Sequence, residues 1–333
     1  ADALERLGRN DEAEAAFALL AERAPADLAE ESLLRLGALR ERRQDIEGAI
    51  AAYDRVLGTA TNAFRRGQAL LGRGRARYRS YRFEAAIEDF VRARRDFPDV
   101  AAEAAYLHVM ALYGAGRDEE ARKVAEEFER LYPEAPQLAE VHLWMGKHSY
   151  NRQDFAEARR LLTNFAARWP RHQWADAALL WAGRAAFRQA DYPAAIEILS
   201  RLPRDYPRSP FLAEARFVQA EALGEQARFE EAILVLDEIV NRHAESEWVV
   251  PAWLRKGDSL YALGSDAPAR YEEALRAYAV AESRPDGTPE LSLQAAYKSG
   301  RCLERLGRLD EALERYHGVV TRFQRERRAG VWH

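Results

Sequence analysis

The sequence predicts an all-α solenoid of about nine helix hairpins, the first incomplete, and three observations carry that prediction. Apolar residues recur in steps of three and four, which places them on one helical face. The stretch from Gln137 to Pro170 shows it twice, with Leu138, Val141, Met145 and Ser149 on one helix and Phe155, Ala158, Leu162, Phe165 and Trp169 on the next. An alanine then recurs at Ala13, Ala49, Ala86, Ala121, Ala158, Ala195, Ala232, Ala274 and Ala312, at spacings of 36, 37, 35, 37, 37, 37, 42 and 38 residues. Finally, other residues keep fixed offsets from it. Gly37, Gly74, Gly146, Gly183 and Gly300 stand twelve before, and Phe17, Tyr53, Phe90, Leu162, Leu199, Leu236, Tyr278 and Tyr316 four after. Pro25, Pro98, Pro133, Pro170 and Pro207 stand twelve after, where a missing donor ends the second helix. A hairpin apolar on both outer sides must stack on others like itself, and nine in register satisfy that need.

Taken in order, the repeats run over about 1–25, 26–61, 62–98, 99–133, 134–170, 171–207, 208–246, 247–284 and 285–325, with a tail at 326–333, all in one solenoid domain of seventeen or eighteen helices and no sheet. The first holds only the end of a helix A, the turn Gly8-Arg9-Asn10 and a helix B. With no initiator Met and no signal peptide, the chain is read as processed or excised, and a fragment of something longer is expected. The third repeat is basic: Arg65, Arg66, Arg73, Arg75, Arg77, Arg79, Arg82, Arg92, Arg94 and Arg95 stand against only Glu84, Glu88, Asp89 and Asp96 within it. The eighth carries roughly five extra residues around Ser265–Ala269 between its helices, and Arg284–Pro289 forms a second long connection. Both are expected to be surface loops and mobile. The last helix B reaches Phe323 and runs into Gln324–Arg328 and Ala329–His333 with no polar capping helix, so a continuing chain or another surface is expected over its apolar face.

Leu36-Gly37, Glu231-Ala232, Glu273-Ala274-Tyr278 and Glu311-Ala312-Tyr316 resemble the landmarks of the tetratricopeptide repeat. The resemblance covers nearly the whole chain and implies a right-handed superhelix with helix A lining its concave side. The period of that family is about 34 residues, so the connections here are longer. An aromatic residue precedes the closing proline at Phe97-Pro98, Tyr132-Pro133, Trp169-Pro170 and Tyr206-Pro207. That variant is similar to repeats of bacterial envelope proteins, namely the Tol-Pal-associated periplasmic protein and the lipoprotein of the outer-membrane assembly machine. The resemblance implies a place in the bacterial periplasm or cell envelope, with room for a lipid anchor outside the given chain; a cytoplasmic place is the alternative.

Composition sets the outer limits. Hydrophobic residues are 48% and charged residues 31%, as in an ordered globular chain. No uncharged apolar run approaches the ~20 residues of a membrane span. A net charge of −4 gives no general attraction to nucleic acid. The single cysteine, Cys302, permits no internal disulfide, and its place is held elsewhere by Ala76, Ala111, Ala185, Ala222 and Ser259, which makes it a packing residue. Among His108, His142, His148, His172, His243, His317 and His333 there is no HExxH, and His142 and His148 are six apart, so no metal site is expected. Leu71-Gly72-Arg73-Gly74-Arg75 lacks the strand and the Gly-Lys-Ser/Thr of a phosphate loop. No catalytic constellation and no cofactor motif are present, and the chain is read as a non-enzyme.

The remaining signal is a strip on helix A. Eleven before the landmark alanine stand Arg75, Met110, Lys147 and Arg184; eight before stand Tyr78, Tyr113, Tyr150 and Phe187; seven before stand Arg79 and Arg188. Trp144 and Trp181 lie one turn earlier, and repeats seven and eight turn acidic at Glu221, Glu225 and Asp258. Interleaved aromatic and basic residues suit charge-assisted peptide contacts. Packing of the rings between neighbouring A helices, with solvated charges, explains the same pattern and stays open. The leading expectation is a scaffold binding a peptide segment or partner protein, with an acidic stretch opposite repeats three to six. The alternative is a structural subunit or fragment of a larger envelope assembly that uses its convex face or termini. A single-stranded nucleic-acid groove would also use Tyr and Arg, but the net acidity argues against it.

Overall fold

Amphipathic periodicity with short polar breaks can only pair successive helices antiparallel, and the computed structural model, which describes residues 1–328, is built of such pairs. They are α1 (Asp2–Arg6) with α2 (Asn10–Arg23), α3 (Ala26–Arg42) with α4 (Ile46–Thr59), α5 (Ala63–Arg79) with α6 (Phe83–Asp96), and α7 (Ala101–Gly114) with α8 (Asp118–Leu131). There follow α9 (Gln137–Asn151) with α10 (Phe155–Arg168), α11 (Ala175–Arg188) with α12 (Tyr192–Asp205), and α13 (Leu212–Glu225) with α14 (Phe229–Arg242). The last two pairs are α15 (Val249–Leu263) with α16 (Ala269–Ser283) and α17 (Pro289–Arg305) with α18 (Leu309–Arg328). A single 3-10 turn, Pro98–Val100, enters α7, and there is no strand among the described residues. The expected tail at 326–333 begins inside α18; its last residues, 329–333, lie outside the described residues. The chain forms two compact units, residues 1–141 and 142–333, and the division falls within α9.

The landmarks do the packing that their sizes suggest. Every landmark alanine is buried, from Ala13 at 0% exposure to Ala312 at 2%. The glycine twelve before it lies under the large residue four after it. A Cβ on Gly74 would stand 2.4 Å from Phe90, one on Gly183 2.4 Å from Leu199, and one on Gly300 2.5 Å from Tyr316. Gly257 meets Tyr278 in the same way at 2.3 Å, so the extra residues of the eighth repeat, which lengthen the α15–α16 loop and the helix ends beside it, leave the helix contact intact. Gly72, of the phosphate-loop lookalike, would clash with Tyr53 at 2.3 Å and is likewise a packing glycine.

The turns are as regular as the helices. In every hairpin except the eighth, the residue five before the landmark alanine has positive φ: Gly8, Gln44, Tyr81, Gly116, Gln153, Ala190, Ala227 and Gly307. This lets the next N–H reach back to close helix A, as in Arg82 N–H to the Arg77 carbonyl at 2.9 Å and Asp154 N–H to the Ser149 carbonyl at 2.9 Å. Non-glycine residues pay about 1 kcal/mol for this geometry, and the repeated helix contact sustains it. The Glu of the Glu-Ala landmark is tied to the same turn: Arg117 donates to Glu120 at 2.9 Å and Arg228 to Glu231 at 2.8 Å. The long connection before α17 is also fastened, by Arg284 to Asp286 at 2.8 Å and to the Ala244 carbonyl at 3.3 Å.

The basic third repeat is neutralised by its neighbours. Arg65 pairs with Asp27 and Glu30 at 2.8 and 2.9 Å, Arg82 with Glu47, and Arg94 with Glu127 at 3.0 Å. Asp89, 1% exposed, takes Arg73 at 2.5 Å and Arg77 at 2.9 Å. Counting charges within the repeat missed this, because most partners lie about one period away. Arg65, Arg82 and Arg94 staple adjacent hairpins, while Arg73 and Arg77 close their own on Asp89.

His108 of α7 is 7% exposed and its Nδ1 has no hydrogen-bond partner. Burial, with Arg94 and Arg117 nearby against Glu120, depresses its pKa from 6.5 to about 4. Because the folded pKa is below the unfolded one, the unfolded chain binds the extra proton as pH falls from about 6.5 to about 4. Stability of the first unit should therefore drop by about 3 kcal/mol across that window. Urea midpoints measured from pH 7 to pH 4 should show wild type losing stability relative to His108→Leu as pH falls; parallel curves would contradict the burial of a neutral imidazole. Burial also raises the Cys302 thiol, to about 12, as suits a packing residue.

Candidate functional site

In the first unit the strip residues are engaged with the protein itself. Arg75 pairs with Glu103 at 3.1 Å and stands 3.9 Å from Glu41; Arg79 donates to Glu41 at 3.5 Å and to its backbone carbonyl at 3.2 Å. Tyr78 is half-buried edge-on against Phe83 at 5.5 Å, and burial raises its pKa. Met110 is half-buried. Tyr113, expected on the strip, is instead a core residue at 6% exposure and offers no face to a ligand. A cleft of about 380 Å³ between α3 and α5 is lined by Glu31, Arg35, Phe64, Leu71, Arg75 and Glu103 among others, with its charges of both signs.

The second unit is different. Its A helices α9, α11 and α13 bring rings together: Tyr150 meets Trp181 edge-on at 4.8 Å and Phe155 at 5.3 Å, Trp144 stacks on His148 at 4.9 Å, and Phe187 meets Tyr192 at 5.6 Å. Three cations sit against these rings. Lys147 Nζ is 6.0 Å from the Trp181 centroid, Arg184 is 5.5 Å from it, and Arg188 is 5.3 Å from the Phe155 centroid. Arg184 is also paired with Glu214. Lys147 and Arg188 are exposed, and neither makes an ion pair among the described residues. Here the aromatic residues pack between A helices and stay half-buried, each with part of its surface accessible.

Tyr150, Trp181, Arg184, Phe187 and Arg188 line a cleft of about 400 Å³ whose other walls are Phe217, Val218, Glu221 and Trp248. Phe217 and Trp248 lie 4.9 Å apart. The sequence reading named neither these two nor Val218, although Val218 stands fourteen before Ala232 as Trp181 stands fourteen before Ala195. Following that place into the seventh repeat would have found it. The acidic residues Glu221 and Asp258 of repeats seven and eight are satisfied internally: Glu221 by Arg255 at 3.0 Å, and Asp258 by Lys298 at 2.6 Å and the Tyr278 hydroxyl at 2.8 Å.

No group of three or more His, Cys, Asp or Glu residues that could hold a metal exists among the described residues, and no described helix is long and apolar enough to cross a membrane. Chemically, the second-unit cleft can seat an apolar side chain and hold anions at its rim.

Comparison with known proteins agrees with this architecture. Residues 143–230 match an outer membrane lipoprotein family model. Among curated proteins none matches the chain. The C-terminal part of a TPR repeat-containing protein from Cytophaga hutchinsonii shares 12% identity, over 85% of this chain and 98% of its own, with a TM-score of 0.52, a likeness of fold. MamA from Desulfovibrio magneticus RS-1 matches at 17% identity over 56% of this chain and 96% of its own, TM-score 0.46. The apo quorum sensor NprR from B. thuringiensis matches at 12% identity over 96% and 99%, TM-score 0.43. The tetratricopeptide repeat family model matches residues 1–64, 71–136 and 266–323, more than half of the sequence, and with the buried alanine and glycine landmarks in register this chain belongs to the tetratricopeptide repeat family.

Proposed function

We propose that the chain is a non-enzymatic scaffold that binds a peptide segment or partner protein on its helix-A face, the concave side in this family, with the second-unit cleft as the principal contact. Tetratricopeptide repeats are generally protein-interaction scaffolds, which supports the broad reading. The observation that carries the specific one is the cleft of about 400 Å³ with the exposed Arg188 on its wall and the exposed Lys147 beside it, against the Trp181 ring that also lines it. Aromatic walls exclude water and charged rims select the partner, the arrangement typical of energetic centres in interfaces. Within the first unit, Arg75 and Arg79 contribute less, because a ligand would have to displace Glu103 and Glu41. The match of residues 143–230 to an outer membrane lipoprotein family favours a bacterial envelope setting, with any lipid anchor outside the given chain, over a cytoplasmic one. It also supports the second reading, a structural subunit or fragment of an envelope assembly that makes contact through its convex face or termini.

Photo-crosslinking separates the two readings. A photoreactive residue at Phe187, in the cleft, and one at Leu234, 67% exposed on α14, would be compared in the native host. Efficient crosslinking to a protein from Phe187, with little from Leu234, is expected; crosslinks from Leu234 alone would move the contact to the helix-B face.

A further inference from the structure

Two pairing rules recur between consecutive A helices. A cation eleven before its landmark alanine meets a glutamate eighteen before the next one: Arg75 with Glu103 at 3.1 Å in the first unit, and Arg184 with Glu214 in the second. A cation seven before its alanine meets a glutamate eight before the previous one: Arg42 with Glu5, and Arg79 with Glu41 at 3.5 Å. From the fifth repeat to the sixth both cations are kept and both acids are gone. Lys147 is the cation of the first rule, and its glutamate place holds Ala177. Arg188 is the cation of the second, and its glutamate place holds Tyr150. Neither cation has found another carboxylate among the described residues, and each rests on a ring instead, Trp181 and Phe155.

Resting on the reading of this cleft as a binding surface, we propose that Lys147 and Arg188 take their missing counterions from the partner, an acidic peptide segment whose carboxylates fill the two vacated glutamate places. Tyrosine in the second place does not abolish pairing by itself. Tyr261 stands four after Gly257 as Tyr150 stands four after Gly146, and its hydroxyl accepts from Arg305 at 3.2 Å. Tyr150 is turned to Trp181 and Phe155, and Arg188 lies over Phe155. The rest of the cleft points to a peptide: Phe217, Val218 and Trp248 form an apolar floor that an aromatic or large aliphatic side chain fills. Glu221 on the same wall disfavours a long acidic run in that direction. The segment therefore carries its acids at one end and an apolar anchor beside them. Carboxylate to ammonium and guanidinium is a charge-assisted pair, stronger than the cation–ring contacts already present.

The decisive variant restores the internal acid. Random peptides of about twelve residues, displayed on phage, would be selected on the full chain, and synthetic versions titrated calorimetrically. Selected peptides should share Asp or Glu next to an apolar residue. Ala177→Glu, which supplies Lys147 with its own carboxylate, should weaken them at least tenfold, as should Lys147→Ala, while Arg204→Glu on α12 changes affinity less than twofold. Circular dichroism should show both variants folded; should Ala177→Glu not fold, Lys147→Ala alone decides. Peptides without acidic bias, or insensitive to the folded variants but weakened by Phe217→Ala, would overturn the carboxylate assignment and leave the cleft reading standing. Peptides insensitive to Phe217→Ala as well, or no selected peptide at all, would overturn both.

Discussion

Ala195→Arg is expected to cost the second unit roughly 4 kcal/mol or more, the largest effect of any single substitution considered. Ala195 is 0% exposed where α12 meets α11, so the guanidinium would enter a packed apolar contact with no carboxylate to meet it. Gly183→Leu attacks the same contact from the other side. A Cβ there already stands 2.4 Å from the Leu199 side chain, and a full isobutyl group must push the helices apart, at about 1–3 kcal/mol. Because repeats couple mainly to their neighbours, amide exchange should lose protection first in α11 and α12. Urea unfolding should then show a weaker transition separating from the rest. Unchanged, single-step unfolding of either variant would mean that the helix contact has been misplaced.

These contacts were legible in the sequence because they depend on what an alanine or glycine lacks. Two helix backbones approach closely only where side chains are small, so Gly74, Gly146 and Gly183 announce the contact, and Phe90, Leu162 and Leu199 announce what covers it. The extra residues of the eighth repeat do not hide the contact, since Gly257 and Tyr278 still meet across them. Charge pairing was less legible. Arg65 reaches Asp27, and Arg94 reaches Glu127, about one period away, and the excess of arginine within repeat three looked free only because those partners were outside it. Once the pairing offsets are known, they can be read along the sequence. Tyr113 shows the limit of register: its offset equals that of Tyr78 and Tyr150, yet it is buried and they are half-buried. The cleft itself needed the structure, because Trp248 joins it from the turn before α15 and not from an expected strip position.

The second large effect concerns binding, and it falls on the two cations that the protein leaves without carboxylates. Arg75 and Arg184 share Lys147's place in their repeats, but Glu103 and Glu214 already occupy them, so reversing their charge would disturb internal pairs as well. Lys147→Glu with Arg188→Glu removes two charge-assisted contacts, each worth roughly 1.5–3 kcal/mol, and sets like charges against an acidic ligand. Both side chains are exposed, so folding should be little affected. Exposed ion pairs that contribute only to the surface would give far smaller losses.

The most direct test is titration of the partner crosslinked at Phe187 against wild type and this double variant, at low and physiological salt. Affinity is expected to fall by more than a hundredfold in the variant, and the salt dependence seen with wild type should vanish with it. Undiminished affinity in a folded double variant would contradict the second-unit cleft as the binding surface.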